Sequence, residues 1–322
     1  MRRHASHQAA VDYMATLQDN YLVGNSAASR GGGGISFLEG LGFSDDYFAT
    51  IEGRYVSDPS RGTPRRHCNG YGDKWFYNQV KDALDDVSPG DSASGDVRTL
   101  VYDTKSYLFR HDRGSFWMAS YRIPQPVAQY LMGPLLDSSN MFLLATMLPW
   151  AFPKHQIVLQ DFMLPRNTVC SFFERMQKVT PLYPVWLLPM RNVPCGALFA
   201  APGPFEIAAS TDAWYDSSNE EVSEAALADF RKRERSMHMM NVGAYGIPKG
   251  NYVFEEANRH LESLLVSHGG RKVFYSHAFF DDKTFYDSLY DGERYFKLRE
   301  KYGAEGALPE IFEKVVTKSG KL

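Results

Sequence analysis

The chain has 322 residues, of which 44% are hydrophobic, 14% aromatic and 23% charged, and its net charge is −3. That composition excludes intrinsic disorder, a collagen or coiled-coil fibre and a small disulfide scaffold. A protein without a basic excess is not built for nucleic acid. Cys68, Cys170 and Cys195 are odd in number and far apart, so no disulfide framework is expected and a reducing or cytosol-facing setting follows.

The basic start Met1-Arg2-Arg3-His4 leads into no apolar core, so no secretory leader is expected. Ala10, Val11, Met14, Leu17 and Tyr21 recur at helical spacing over residues 6–22. The glycines at 31–34 follow that helix and open a strand-like run, the reverse of a phosphate loop, and read as a flexible connection. Strands are expected over 35–41 and 47–56, then a polar loop to residue 72, a helix over 74–84 and a second loop over 87–96. Residues 97–109 are β-rich and run into Arg110-His111-Asp112-Arg113.

An apolar, proline-punctuated tract fills 123–152. Its longest apolar stretch, Met141–Phe152, is shorter than the ~18 residues that span a bilayer and contains Pro149. It reads as either core packing or a membrane-surface patch. Residues 156–164 give the best single strand. An Asn167-Thr168 cap signal precedes a helix to Val179. Residues 183–190 read as a buried strand that Pro184 and Pro189 make short or place at an edge. Residues 218–239 read as a long helix, acidic first and basic later, which suits the helix dipole. A short strand over 241–246, a helix over 251–267, a strand over 272–280, two helices over 281–302 broken at Asp291-Gly292, and a last helix over 308–318 complete the sequence. The pattern is α+β, an antiparallel sheet covered by helices, and not a βαβ series.

No GxSxG elbow, P-loop, kinase set, Rossmann fingerprint or zinc spacing is present, so spacing alone names no reaction and no metal site is expected. Arg110-His111-Asp112-Arg113 offers guanidinium, imidazole and carboxylate groups at a strand end. It is either an anion or proton site or a solvated turn. Gln160 and Asp161 interrupt an apolar strand with side chains on opposite faces, so one of them points inward. Tyr183, Trp186, Tyr245 and Tyr275 lie in or beside strands, where an aromatic core and a ligand wall are both open.

Several blocks carry a more specific signal. They are Phe37-Leu38-Glu39-Gly40, Arg110-His111-x-Arg113-x-x-Phe116-Trp117, the run from His155 to Pro165, Tyr183-Pro184-Val185-Trp186-Leu187 and Gly243-Ala244-Tyr245-Gly246-x-Pro248. A closing tract follows, with Phe285, Tyr290-Asp291-Gly292, Tyr295-x-Lys297-Leu298-Arg299-Glu300-Lys301-Tyr302-Gly303, Pro309-Glu310 and Lys314. In this order they resemble the C-terminal half of the Delta(24)-sterol reductases, the Diminuto-like flavoproteins.

The resemblance implies the cap, or substrate, domain of a vanillyl-alcohol-oxidase-type flavoprotein, with the N-terminal FAD-binding domain absent from this sequence and supplied upstream or by a separate polypeptide. It implies an N-terminal helix and connection over 1–34, a cap domain over 35–270 and a segment over 271–322 returning toward FAD. The implied reaction is NADPH-linked, FAD-dependent reduction of a C=C bond in the side chain of a sterol. His111, Tyr245 and Asp161 are the implied proton-donor candidates, with His111 or Tyr245 preferred because an Asp needs a large pKa rise to hold a proton near neutrality. Tyr275 and Gln160 are implied cofactor contacts, and Phe116, Trp117, Tyr183 and Trp186 implied walls of the sterol pocket. Peripheral membrane contact is expected, at the cytosol-facing endoplasmic reticulum surface or in the cytoplasm. A sugar or aldonolactone oxidoreductase and a non-catalytic cap-only binding module are the competing readings.

Overall fold

A computed structural model describes residues 1–24, 35–56, 64–87, 97–114, 116–147, 156–190, 238–290 and 292–317. The glycine run at 31–34, residues 88–96 of the second loop and residues 218–237 of the expected long helix lie outside the described residues. The protein divides into two compact units, Met1–Val158 with Leu182–Leu188 and Gly243–Lys249, and Leu159–Pro181 with Pro189–Val242 and Gly250–Leu322.

In the first unit the strand order is β1 (Arg2–His4), β3 (Tyr47–Gly53), β2 (Phe37–Ser44), β7 (Val185–Met190) and the second half of β8 (Met239–Gly246). The β1–β3, β3–β2 and β2–β7 pairings are antiparallel. The hairpin of β2 and β3 sets the frame, with Gly40 opposite Thr50 and Gly42 opposite Phe48. Gly42 is required there, because a Cβ would stand 2.4 Å from the Phe48 ring and 2.7 Å from a Val185 methyl. Helix α1 (His7–Gly24) buries Ala10, Val11 and Met14, the stripe expected from its spacing. Helix α2 (Phe76–Leu84) buries Phe76, Tyr77, Val80 and Leu84 on one face.

Two expectations change in this unit. Of the β-rich run 97–109, only β5 (Val101–Tyr102) is strand, parallel to β4 (Arg65–Arg66). Residues Thr104–Leu108 form helix α3, because the Asp103 carboxylate accepts from the backbone N–H groups of Lys105 (3.2 Å) and Ser106 (2.9 Å). That cap outweighs the strand-like composition. Strand β7 is short, as its prolines require, but it is not an edge. It pairs with β2 only at Val185, Trp186 and Leu187, so neither Pro184 nor Pro189 removes a donor from that ladder. The proline-punctuated tract breaks into short helices, among them α4 (Gln125–Tyr130) and α5 (Ser138–Met147).

The second unit has the order β8 (first half), β6 (Val158–Pro165), β9 (Arg271–Lys272), with β9 antiparallel to β6. Helix α6 (Val169–Val179) turns Val169, Phe172, Phe173 and Met176 inward, and the Phe172 ring lies 5.1 Å from that of Phe162. Helix α7 (Phe254–Ser267) buries Leu261 and Leu265. A further apolar cluster joins Ala278, Phe280, Phe285, Leu289 and Tyr290 to Ile311 and Phe312. It ties the π-helical turn Thr284–Leu289 to the short helix α9 (Ile311–Val315). Helix α8 (Gly292–Lys301) begins at the expected glycine break.

The expected cap at Thr168 is not made. Its hydroxyl donates instead to the carbonyls of Pro165 (3.1 Å) and His268 (2.9 Å). The expected strand over 272–280 is only two residues of ladder. Beyond Lys272 the Val273 N–H still reaches the Asp161 carbonyl, and side chains then take over, with Phe279 N–H on the Glu262 carboxylate and Ala278 N–H on Thr317 Oγ1. Replacing Phe172, which is fully buried, by alanine should lower the unfolding free energy by about 3–5 kcal/mol. Denaturant titration of Phe172→Ala checks this.

Candidate functional site

In the first unit the site grows from one buried carboxylate. Glu39 sits on β2, 1% exposed. Arg110 Nε donates to its Oε1 at 2.8 Å and Trp186 Nε1 to its Oε2 at 2.8 Å, while His111 Nε2 lies 3.2 Å from the same Oε2. The β2–β7 register supplies Trp186, placing it opposite Leu41. The turn after α3 supplies Arg110, whose guanidinium covers the Tyr107 ring at 4.4 Å and donates to the Tyr107 carbonyl at 2.9 Å. Burial alone would raise the Glu39 pKa. The His111 hydrogen bond and the charges of His111 and Arg110 reverse that and hold it at about 2. Burial lowers the His111 pKa below the ordinary imidazole value, and the Glu39 contact only partly offsets this. At neutral pH the pair is therefore a carboxylate beside a neutral imidazole whose Nε2–H donates to it.

Aromatic rings pack around that imidazole. Phe116 stacks on His111 with centroids 4.3 Å apart and planes at 17°. It also lies 5.3 Å from Trp186 and 5.0 Å from Tyr245. The Trp117 indole N–H donates to the Tyr245 carbonyl at 2.8 Å. Phe116 has φ of +68°, a left-handed backbone that costs a residue other than glycine about 1–3 kcal/mol. The stacked ring is what that conformation delivers. The fold thus brings His111, Phe116, Trp117, Trp186 and Tyr245 together. Tyr183 is placed elsewhere, its hydroxyl on Asp45 (2.8 Å) and its ring near Phe48. Glu39, the hub, enters the sequence reading only as part of a motif. The signal available was a carboxylate inside a run of apolar and glycine residues.

A second group of the named residues lies within the second unit. The Tyr275 hydroxyl donates to Asp161 Oδ2 and the Asn241 amide to Asp161 Oδ1, each at 2.6 Å. Tyr275 is 49% exposed. Asn241 Oδ1 is a buried acceptor without a hydrogen-bond partner among the described residues. Gln160 points to the other face, as strand alternation requires. It is buried, and its amide donates to Asn258 Oδ1 (2.7 Å) and the His277 carbonyl (3.1 Å). Among the described residues no cluster of His, Cys, Asp and Glu could hold a metal ion.

A mostly antiparallel sheet with helices makes this an α+β protein, and its first unit holds an aromatic cluster around a carboxylate–imidazole pair. The known proteins it resembles are sterol reductases. The human Delta(24)-sterol reductase is 26% identical over 288 residues, which cover 87% of this chain and 48% of that protein. The Arabidopsis thaliana protein of the same name is 24% identical over 293 residues, 86% of this chain and 47% of that protein. A Caenorhabditis elegans homolog of the enzyme is 24% identical over 299 residues, 89% and 49% respectively. The chain spans about half the length of the curated relatives it matches. No family model and no solved structure matches it. The resemblance read from the ordered motifs is borne out.

The proton affinities fix how stability responds to acid. His111 and His4, the latter lowered to about 4 first by burial and then by Arg2, bind protons more weakly in the fold than in the unfolded state. Their contribution is therefore lost as pH falls below the ordinary imidazole range. Glu39, lowered from 4.5 to about 2, contributes stability above 4.5 that is lost between those two values. The melting temperature should fall steadily on acidification from neutrality. Glu39→Gln leaves Arg110 buried without its counter-charge and should cost about 3 kcal/mol at pH 7. It should also flatten the loss below pH 4.5. Thermal denaturation of both proteins across pH checks the pair of outcomes.

Proposed function

We propose that this protein acts in reduction of a C=C bond in the side chain of a sterol, as the cap and substrate half of an FAD-dependent, NADPH-linked reductase. The observation that carries the reading is the match to proteins named Delta(24)-sterol reductase along 87% of the sequence. The length of those relatives supports placing the FAD-binding domain outside this sequence, because the match takes up only 48% of the human protein.

Residues of the second unit suit the cofactor's ring. With its proton on Asp161, the Tyr275 phenol meets a ligand as an acceptor, and Asn241, whose amide N–H donates to the same carboxylate, keeps Oδ1 as a second, buried acceptor. Both favour a group that presents N–H donors, as the flavin ring does. Tyr275 is the proposed contact. FAD, when bound, would supply the hydride chemistry that an NADPH-linked C=C reduction needs.

Within the first unit, taken by itself, His111 is the proposed proton source for the reduction. Glu39 keeps hold of one imidazole nitrogen and fixes the tautomer, leaving Nδ1 to take up and release the proton. Because His111 rests neutral near pH 7, it must load that proton from solvent, and the acid limb of the reaction should report its lowered pKa. Phe116 and Trp186, the half-buried rings of the cluster, are the proposed apolar contacts of the sterol skeleton, whereas Trp117 and Tyr245 are buried in the core.

No helix of the described residues is long and apolar enough to cross a membrane. Leu131, Leu143 and Met147 in the proline-punctuated tract are 74%, 58% and 67% exposed, which supports peripheral contact with a membrane that holds the insoluble substrate.

The test is co-expression of the 322-residue chain with an FAD domain from a relative, loaded with flavin, followed by NADPH-dependent loss of the sterol alkene measured by mass spectrometry. Turnover should decline as pH rises above the His111 pKa. His111→Gln should lower it by about 10²-fold and remove that pH limb. Absence of turnover in the loaded complex overturns the reading.

A further inference from the structure

Two buried charges in the second unit take no part in the chemistry above. Lys272, on β9, is 1% exposed and Glu262, on α7, is 3% exposed. Lys272 Nζ donates to Glu262 Oε1 at 2.5 Å and also to the His277 carbonyl. The Phe279 N–H lies 3.1 and 2.9 Å from the two Glu262 oxygens. The residues at both ends of the stretch 273–278 are therefore fastened to one carboxylate. Burial pulls the Lys272 pKa down and the Glu262 pKa up, each against the other's attraction.

Stability does not explain such a pair. Well-packed apolar residues of the same volume serve as well or better in a core, because desolvating two charges offsets their attraction. An apolar pair could not hold the two backbone groups that this one holds. Past Val273 the loop leaves the β6 ladder, so side chains bond several of its amides and carbonyls, and this loop carries Tyr275. Its phenol reaches Asp161 Oδ2 at 2.6 Å, and the Val273 N–H reaches the Asp161 carbonyl at 3.2 Å.

We propose that Glu262 and Lys272 are positioning residues that hold the 273–278 loop so that the Tyr275 phenol stays on Asp161 and faces ligand preorganised. The role of Tyr275 as a ligand contact rests on the reading above, whereas the clamp itself does not. Preorganisation of this kind requires that the supporting residues, and not the loop, fix the geometry.

The test places 3-fluorotyrosine at position 275 of the full-length protein and follows its single ¹⁹F resonance. Asp161→Ala marks the resonance position of a phenol that has lost its acceptor. The double variant Glu262→Leu/Lys272→Met keeps the core apolar and should remain folded by circular dichroism. Its ¹⁹F resonance should move to the Asp161→Ala position. A folded double variant with the resonance at the wild-type position overturns the proposal. Amide hydrogen exchange of the unmodified protein gives an answer even if the variant fails to fold. The Phe279 and Val273 amides should exchange at the rate of core strand amides, and exchange at exposed-loop rates overturns the clamp. Both readouts are independent of turnover. A resonance that moves in a protein without reductase activity leaves the clamp standing and removes the reductase reading.

Discussion

A carboxylate removed from water must collect donors or give up its charge. In the first unit that requirement falls on Glu39, and meeting it takes residues from two distant parts of the sequence. Arg110 brings the compensating charge, Trp186 an indole N–H and His111 an imidazole. The β2–β7 register, the short helix α3 and the left-handed Phe116 all serve positions that this carboxylate uses. Remove the charge and the Arg110 guanidinium is left buried without its partner, so the cluster stands or falls as one network.

The second unit solves the same problem with a different result. Glu262 is buried as deeply, but two of its hydrogen bonds are to one backbone amide and its charge partner is a lysine that also bonds a carbonyl. There the carboxylate shapes backbone rather than an imidazole. The first arrangement sets a proton affinity, and the second sets where a loop stands. Aromatic rings accompany both, stacked at His111 in the first unit and tilted against one another among Phe274, Phe285 and Tyr290 in the second.

Local signals were legible wherever burial follows periodicity. The helical spacing over residues 6–22 marked Ala10, Val11, Met14 and Leu17 as one face, of which the first three are buried and Leu17 half-buried. The signals failed where a side chain took over the job of the backbone. Asp103 turned a β-rich run into helix, and Glu262 ended a strand that composition would have carried to Phe280. The Asp103 cap acts on amides two and three residues on, whereas the acceptor role of Glu262 could not be assigned from its neighbours in sequence, because the Phe279 amide it binds lies beyond the end of its own helix.

The sequence by itself determined the α+β class, most element positions and, through the order of its motifs, the resemblance to sterol reductases. It also singled out His111, Phe116, Trp117, Trp186 and Tyr245, but as separate residues. Only the tertiary structure decided that they share one cluster, that Glu39 is its centre and that Tyr183 stands apart. It likewise paired Tyr275 with Asp161 across 114 positions of sequence. The reason is physical. Periodicity reports which side of an element is apolar, whereas the partner of a buried charge is set by strand register and by which distant segments meet in space, which no local pattern encodes.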